Sequence, residues 1–140
     1  MTQKAEYIPN KSKLYRWVIN FHIVGGKINQ AAFSLKNRQK DLSMEWSDLV
    51  KDPEETRYRM TNYPKPTIRW SKDFAKKHGV ISLITKDVRL LQLEVRHTPS
   101  DWNPAHTSIF NLYGLEKYEA LDKRRQLARM SQLELEPIKK

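Results

Sequence analysis

The chain has 140 residues, no cysteine, and a formal net charge of +10 at pH 7, from 26 lysines and arginines against 16 acidic residues. A chain of this length fits one domain that buries a core without disulfide bonds, and the lack of cysteine excludes disulfides and thiolate zinc sites. No stretch approaches the roughly 18 apolar residues that a membrane-spanning helix needs, and the polar N-terminal residues lack the apolar run of a signal peptide. The composition therefore predicts a cytoplasmic protein that does not contact a membrane.

The positive charge is concentrated in two stretches of the chain. Residues 7–40 hold seven lysines and arginines and no acidic residue, and residues 65–77 hold five against Asp73 alone. Such asymmetry favours a polyanionic partner, most simply nucleic acid. A solvated basic surface without a polymer partner is the alternative.

Residues 1–46 predict a flexible arm followed by strands. The polar residues 1–12 form the arm, and residues 14–19 (LYRWVI) combine the large apolar and β-favouring residues of a strand. A double glycine then indicates a turn, and residues 28–35 are predicted as the returning strand. Residues 42–46 (LSMEW) alternate apolar with polar residues, which predicts a strand with one buried face.

Two short helices are predicted in the middle of the chain. Asp52 as N-cap and Pro53 in the first turn predict a helix over residues 52–60, and two later prolines end it. Ser71 is the predicted N-cap of a second short helix, and Gly79 is the predicted residue just after its C-terminus.

The second half of the chain predicts more strands and one long helix. The strands are expected over residues 80–85, 91–97 and 105–110. Apolar residues then recur at steps of three and four over residues 115–133, which is typical of a long helix, and residues 135–140 are expected to be a frayed tail. Residues 13–134 therefore predict a single α+β domain with a small mixed or antiparallel sheet, because the connections are too short for a doubly wound parallel fold.

Two histidines, His97 and His106, frame a turn-rich loop that carries Trp102 (HTPSDWNPAHTSIF, residues 97–110). If the flanking strands pair, both imidazoles can lie at one rim and perform acid–base chemistry on phosphates. Residues 106–108 fit one copy of the His-x-Ser/Thr pattern of two-histidine phosphoesterases, but the chain lacks a second copy. The alternative is a structural corner with His106 half-buried in the sheet. An exposed Trp102 is a candidate for stacking on a base.

Arg16 lies between two aromatic residues in the first predicted strand. Several ADP-ribosyltransferase-like folds begin with a similar aromatic-Arg strand, in which the arginine binds a dinucleotide phosphate. This resemblance implies Ser34 or Ser43 on a later strand and Glu45 as the required glutamate. A core strand with Arg16 at the surface is the alternative. No acidic residue or cysteine stands at a spacing that completes a metal-ligand set, and the sequence indicates no cofactor.

The candidate nucleic-acid contacts are Trp102 and the lysines and arginines of the basic segments and of the predicted C-terminal helix: Lys36, Arg38, Lys40, Arg69, Lys72, Lys76, Lys77, Arg124 and Arg125. Each phosphate contact of this kind adds salt-dependent affinity without sequence specificity. For Arg124 and Arg125 the alternative is a solvated helix that packs on the sheet, because acidic residues lower the positive charge of that helix face.

Several short segments together resemble a family of small uncharacterised bacterial proteins. These segments are LYRWVI, AAFS, LSMEW, PEETR, GVISL, VRLLQLEVRHTP and NPAHTSI, in this order within residues 14–110. Proteins of this kind often sit in defence-like gene neighbourhoods, so the resemblance implies an accessory or effector role. It carries over no activity and no catalytic residue.

Three functions follow from the sequence. The first, which the charge favours, is a nucleic-acid-contacting accessory protein, for DNA or RNA, such as a subunit of a bacterial ribonucleoprotein or defence assembly. The second is an enzyme, a toxin or effector, that acts on a nucleotide or nucleic acid through His97, His106 and Arg16. The third is a module that binds an acidic protein partner with its basic face.

Overall fold

The computed structural model of the chain describes residues 4–36, 39–65, 67 and 69–139. Within these residues the strands are β1 (Lys13–Ile19), β2 (Ile23–Val24), β3 (Lys27–Ile28), β4 (Leu42–Trp46), β5 (His78–Ile84), β6 (Glu94–His97), β7 (His106–Phe110) and β8 (Gln132–Leu135). The α-helices are α1 (Pro53–Arg57), α2 (Lys72–Ala75), α3 (Thr85–Leu90) and α4 (Lys117–Met130). None of these described helices is long and apolar enough to cross a membrane.

Six of the strands form one sheet in the order β6-β7-β4-β1-β5-β8, in which every pairing is antiparallel. Strands β2 and β3 form a separate hairpin across Gly25 and Gly26. Both glycines have positive φ, which glycine adopts without strain, so the predicted turn is confirmed. The protein has the predicted α+β fold, with an antiparallel sheet.

The hydrophobic core lies on one face of this sheet, the core face. Leu14 and Val18 of β1 point to this face because side chains alternate along a strand, and both are buried with Met44 of β4. Leu127 of α4 belongs to the same buried cluster. Helix α4 packs against the 3-10 helix Gln30–Phe33, and these two elements cover the core face.

The opposite face of the sheet, the outer face, carries aromatic and polar side chains. By the same alternation, Trp17 of β1 shares this face with Glu45 of β4 and His106 of β7. Helix α1 contacts β1 and β5 here, and the 3-10 helix Arg59–Asn62 that follows it supplies Arg59 to Glu45. Helix α1 and Arg59 therefore cover the centre of the outer face, and they cover the region around His106 less completely.

Strands β1 and β4 pair over a very short length. Their register joins Leu14 to Trp46 and Tyr15 to Glu45, whereas β1 pairs with β5 along all seven of its residues. Beyond Tyr15 a gap therefore separates β1 from β4.

The helix starts and most strands follow the sequence prediction. The strands expected over residues 14–19, 42–46, 80–85 and 105–110 are confirmed as β1, β4, β5 and β7 to within two residues. Both short helices begin at their predicted caps: Asp52 Oδ1 accepts from the Glu55 N–H at 2.9 Å, and Ser71 Oγ accepts from the Phe74 N–H at 3.0 Å. Local capping chemistry therefore fixes where these helices begin.

Two predicted strands are shorter than expected. The prediction of a strand over residues 28–35 is wrong beyond the end of β3. There the Asn29 side chain accepts from the Ala31 N–H at 2.8 Å and begins a 3-10 helix. The strand over residues 91–97 shrinks to β6, because α3 precedes it and Gln92 adopts a left-handed backbone conformation (φ 64°). In both places a local turn interrupts an apolar pattern.

The C-terminal segment departs from the long helix predicted over residues 115–133. Helix α4 ends at Met130, and Ser131 is extended. Strand β8 then pairs with β5 at the sheet edge. Gly79, predicted to end a helix, instead lies inside β5, where an added Cβ would be 2.6 Å from the Leu135 carbonyl oxygen of β8. Glycine at this position makes room for the neighbouring strand.

The expected arm of residues 1–12 is packed against the domain where the structure describes it. Ile8 is buried in the core cluster. The backbone carbonyls of Asn10 and Ser12 accept from the N–H groups of Lys86 and Thr85 at 2.9 and 3.0 Å. A buried apolar side chain and two backbone bonds hold this segment in place.

Candidate functional site

The gap between β1 and β4 forms a cleft of about 740 Å³, called here the Arg16 cleft. Four half-buried aromatic side chains line it: Trp17, Tyr63, Trp70 and Trp102. Polar side chains line the rest, among them Arg16, Lys36, Ser43, Thr98, Asn103 and His106. These residues come from distant parts of the chain, and the separation of β1 from β4 brings them together.

The aromatic residues form two edge-to-face pairs. The ring centroids of Trp17 and Trp70 lie 5.9 Å apart, and those of Tyr63 and Trp102 lie 4.7 Å apart. Trp70 also stacks on His78 at 4.2 Å. Trp102, the residue singled out for base stacking, is therefore held in a fixed aromatic wall. The arrangement provides rigid apolar surfaces of the kind that planar rings stack on.

Arg16 is a cation at the base of this cleft that no described carboxylate neutralises. Its Nε–H donates to the Ala32 carbonyl at 2.9 Å, and Nη1–H donates to the Ser43 carbonyl at 2.6 Å. Burial lowers the pKa of Arg16 to about 10, so the guanidinium stays charged at neutral pH. A guanidinium has five N–H donors; these bonds use two of them, and the other three have no acceptor among the described residues.

His106 is the histidine of the Arg16 cleft. Its Nδ1 lies 3.1 Å from the Thr98 carbonyl oxygen and 2.9 Å from the Thr98 hydroxyl, and its Nε2 lies 3.3 Å from Ser43 Oγ. The Thr98 carbonyl oxygen only accepts, so a ring that is protonated on Nδ1 donates to it and keeps a lone pair on Nε2, toward Ser43 Oγ. Arg16 and His106 therefore both contact Ser43, one at its carbonyl and the other at its hydroxyl.

His97 lies on the core face and does not share a site with His106. The register of β6 and β7 pairs His97 with Thr107, so His106, one residue away, points to the other face. His97 is buried, its Nδ1 accepts from the Glu6 N–H at 3.0 Å, and its Nε2–H donates to the Pro104 carbonyl at 2.7 Å. The expectation that both imidazoles lie at one rim is therefore wrong, and the described hydrogen bonds of His97 go to backbone groups.

Glu45 is a fully buried carboxylate beside the cleft. It accepts from Thr56 Oγ1 at 2.8 Å, from Arg59 Nε at 2.8 Å and from Asn103 Nδ2 at 3.0 Å. Burial lowers the pKa of Arg59, but hydrogen bonds and charge from Glu45 and Glu55 together raise it above its ordinary value. Protein donors enclose the Glu45 carboxylate, so the glutamate role that the ADP-ribosyltransferase resemblance implies does not fit it.

Asn103 joins this buried network to the cleft. Its Nδ2 must face the Glu45 carboxylate, which fixes the orientation of the amide. Its Oδ1 is buried and has no hydrogen-bond partner among the described residues. A buried acceptor without a donor is costly, and Asn103 lines the Arg16 cleft. Asn103 is therefore a cleft residue that the sequence did not indicate, and it carries a buried acceptor without a described donor.

The predicted basic contacts do not all lie at the Arg16 cleft. Lys36 lines the Arg16 cleft, and exposed Arg69 directly precedes Trp70. Exposed Lys72 and Lys77 lie in or just after α2, whose Phe74 packs edge-on against Trp70 at 5.2 Å. These four cations lie in or beside one wall of the cleft.

The other predicted basic contacts lie elsewhere. Lys40 lies over the ring of Tyr113, 5.7 Å from its centroid. Lys76 is half-buried, and its carbonyl accepts from two C-terminal backbone N–H groups. On α4, Arg124 donates to Gln30 at 2.9 Å, and Arg125 lines a separate groove of about 520 Å³ beside β3. Arg38 lies outside the described residues.

Sequence analysis also missed Tyr63, Trp70 and Thr98 as cleft residues. Trp70 directly follows Arg69, a composition typical of nucleic-acid contacts, but no local pattern marks which aromatic rings meet. The described residues contain no group of three or more histidine, cysteine or acidic side chains that can hold a metal ion. Comparison of the chain with protein-family models, with curated proteins and with solved structures finds no match.

Proposed function

We propose that the protein binds single-stranded nucleic acid in the Arg16 cleft. The observation that carries this proposal is the charged guanidinium of Arg16, which has no described acidic partner and lies in a cleft lined by four aromatic rings. Placing a cation in a partly desolvated site is unfavourable unless an anion accompanies it. A phosphate group supplies that anion, and guanidinium binds phosphate with charge-assisted hydrogen bonds.

The aromatic walls favour a ligand that carries planar rings as well as phosphate. Bases stack on aromatic side chains with about 1–3 kcal/mol per base. The bases of a duplex are already stacked on one another, so a strand with free base faces fits the cleft better. The proposed ligand is therefore an unpaired segment of DNA or RNA.

The surrounding charge supports the same ligand. Lys36 lines the cleft, and Arg69, Lys72 and Lys77 lie near its Trp70 wall. The positive charge of the region also lowers the pKa of a neighbouring histidine: burial lowers the pKa of His22, and the charges of Arg16 and Lys36 lower it further. Cations near a strand's path add affinity that falls as salt rises.

The test is fluorescence anisotropy of labelled single-stranded RNA, single-stranded DNA and duplex DNA at about 50 mM and about 200 mM salt. Trp102→Ala is expected to weaken single-strand binding by about 5- to 150-fold, the equivalent of one lost stacking contact. Lys36→Ala is expected to reduce the slope of log affinity against log salt by about 0.7, the value for one phosphate contact on a single strand.

Arg125→Ala is the matched control for charge. Arg125 is exposed and lies on α4, which covers the core face. Its replacement removes one positive charge, as Lys36→Ala does, and is expected to leave the salt slope unchanged. Equal affinity of the Trp102→Ala variant and the wild type contradicts the proposal. A loss of affinity confined to Arg125→Ala also contradicts it and places the contact on α4.

A further inference from the structure

His106 has the arrangement of a general base within the Arg16 cleft. In the tautomer that carries its proton on Nδ1, the ring donates to the Thr98 carbonyl, which orients it, and the Nε2 lone pair lies 3.3 Å from Ser43 Oγ. That last distance is long for a hydrogen bond to a hydroxyl, so a hydroxyl group of a ligand can displace the serine at little cost. A base oriented by a second group is the pattern found in acid–base catalysis.

Arg16 adds a positive charge to the cavity that His106 lines. Arg16 Nη1–H binds the carbonyl of Ser43, the same residue whose hydroxyl faces His106 Nε2. Because Arg16 and His106 both line the cleft where β1 and β4 separate, a phosphate bound to the remaining donors of Arg16 lies in the same cavity as His106. A guanidinium stabilises the extra negative charge that a phosphodiester gains during substitution at phosphorus.

We propose, on the basis of the binding function above, that the Arg16 cleft cleaves RNA by internal transesterification with His106 as the general base. His106 Nε2 takes the proton from a ribose 2′-hydroxyl, and the 2′-oxygen forms a bond to the adjacent phosphorus. The bond from phosphorus to the 5′-oxygen of the next nucleotide breaks, and that oxygen takes a proton from water. His106 then returns its proton to solvent, and the products are a 2′,3′-cyclic phosphate and a 5′-hydroxyl.

This reaction requires only the chain, its substrate and water. The nucleophile is the 2′-hydroxyl of RNA itself, Arg16 balances the charge at phosphorus, and the aromatic walls hold the flanking bases. DNA lacks the 2′-hydroxyl, so the same cleft is expected to bind a DNA strand without cleaving it. The enzyme function predicted from the sequence thus keeps His106 and Arg16 but excludes His97.

The test uses the full chain with a single-stranded RNA oligonucleotide and its all-deoxy counterpart. Wild type is expected to cut the RNA into fragments that end in a 2′,3′-cyclic phosphate, identified by mass spectrometry, and to leave the DNA intact. His106→Asn is expected to lower the cleavage rate by about 10²- to 10⁴-fold. The asparagine amide keeps a donor for the Thr98 carbonyl, so affinity for the all-deoxy strand is expected to change by less than about threefold.

His22→Asn is the matched control, because His22 is also half-buried but does not line the cleft. It is expected to cleave at the wild-type rate. Cleavage by the His106→Asn variant at the wild-type rate reveals a contaminant and overturns the inference. A product without a cyclic phosphate also overturns the inference. Binding of the all-deoxy strand without cleavage of RNA overturns this inference alone, whereas no binding of either strand overturns the proposed function as well.

Discussion

Replacement of Glu45 by glutamine tests whether the buried network beside the cleft supports the fold. The carboxylate accepts from Thr56, Arg59 and Asn103 at 2.8 to 3.0 Å, and none of its surface is exposed. In Glu45→Gln one oxygen becomes an NH₂ group, so a donor of Arg59 or Asn103 faces another donor. Removing one partner of a buried ion pair costs about 3–5 kcal/mol. Arg59 keeps an ion pair to Glu55 at 3.1 Å, which favours the lower value, about 3 kcal/mol.

The assay is urea unfolding monitored by tryptophan fluorescence, from which the free energy of unfolding is extrapolated. Glu55→Gln is the matched control, since it makes the same chemical change on the more exposed partner of the same arginine. An exposed pair contributes about 0–1 kcal/mol, so this variant is expected to be nearly as stable as wild type. A loss below about 1 kcal/mol for Glu45→Gln, or equal losses for both variants, refutes the reasoning.

Three further predictions concern stability. The pKa of His78 is lowered, mainly by burial, so the folded state binds a proton at this ring less well than the unfolded state does. The free energy of unfolding therefore falls as pH drops through 6.5. Urea unfolding at about pH 7.5 and about pH 5.5 is expected to show a smaller fall for His78→Phe, and an equal fall contradicts this. Gly79→Ala brings a Cβ to 2.6 Å from the Leu135 carbonyl oxygen, so a loss of about 1–3 kcal/mol is expected in thermal or urea unfolding, and an unchanged stability is evidence against the close packing of β8 on β5. His97→Ala removes two buried hydrogen bonds and is expected to lower the free energy of unfolding by about 2–3 kcal/mol, with RNA cleavage per folded molecule unchanged. A stable His97→Ala protein without cleavage activity is the opposite result.

Short-range physical chemistry made much of the fold predictable. The alternation in residues 42–46 gives β4 at its predicted bounds, and the caps Asp52 and Ser71 begin α1 and α2. The C-terminal strand was not predictable in the same way. Leu127, Met130 and Leu133 recur every third residue, which fits a helix. The strand β8 forms instead because β5 offers an unpaired edge with which it can pair.

The site was less predictable because it depends on register and on a break in pairing. Whether His97 and His106 share a face depends on which residues pair across their loop, and the observed pairing of His97 with Thr107 separates them. Arg16 alternates with Leu14 and so is assigned to the core face. No local pattern shows that β1 and β4 separate beyond Tyr15 and open a cleft there.

The central claim is that a single strand lies in the Arg16 cleft, and photocrosslinking tests it most directly. An all-deoxy single strand that carries photoreactive 5-iodouracil bases is bound to the full chain, irradiated and digested, and the linked residues are identified by mass spectrometry. We expect crosslinks on Trp17, Tyr63, Trp70 or Trp102, the four aromatic residues that line the cleft, and their loss when excess unlabelled strand is present. Crosslinks confined to Tyr118 and other residues of α4 would contradict it and place the strand on the opposite face of the sheet.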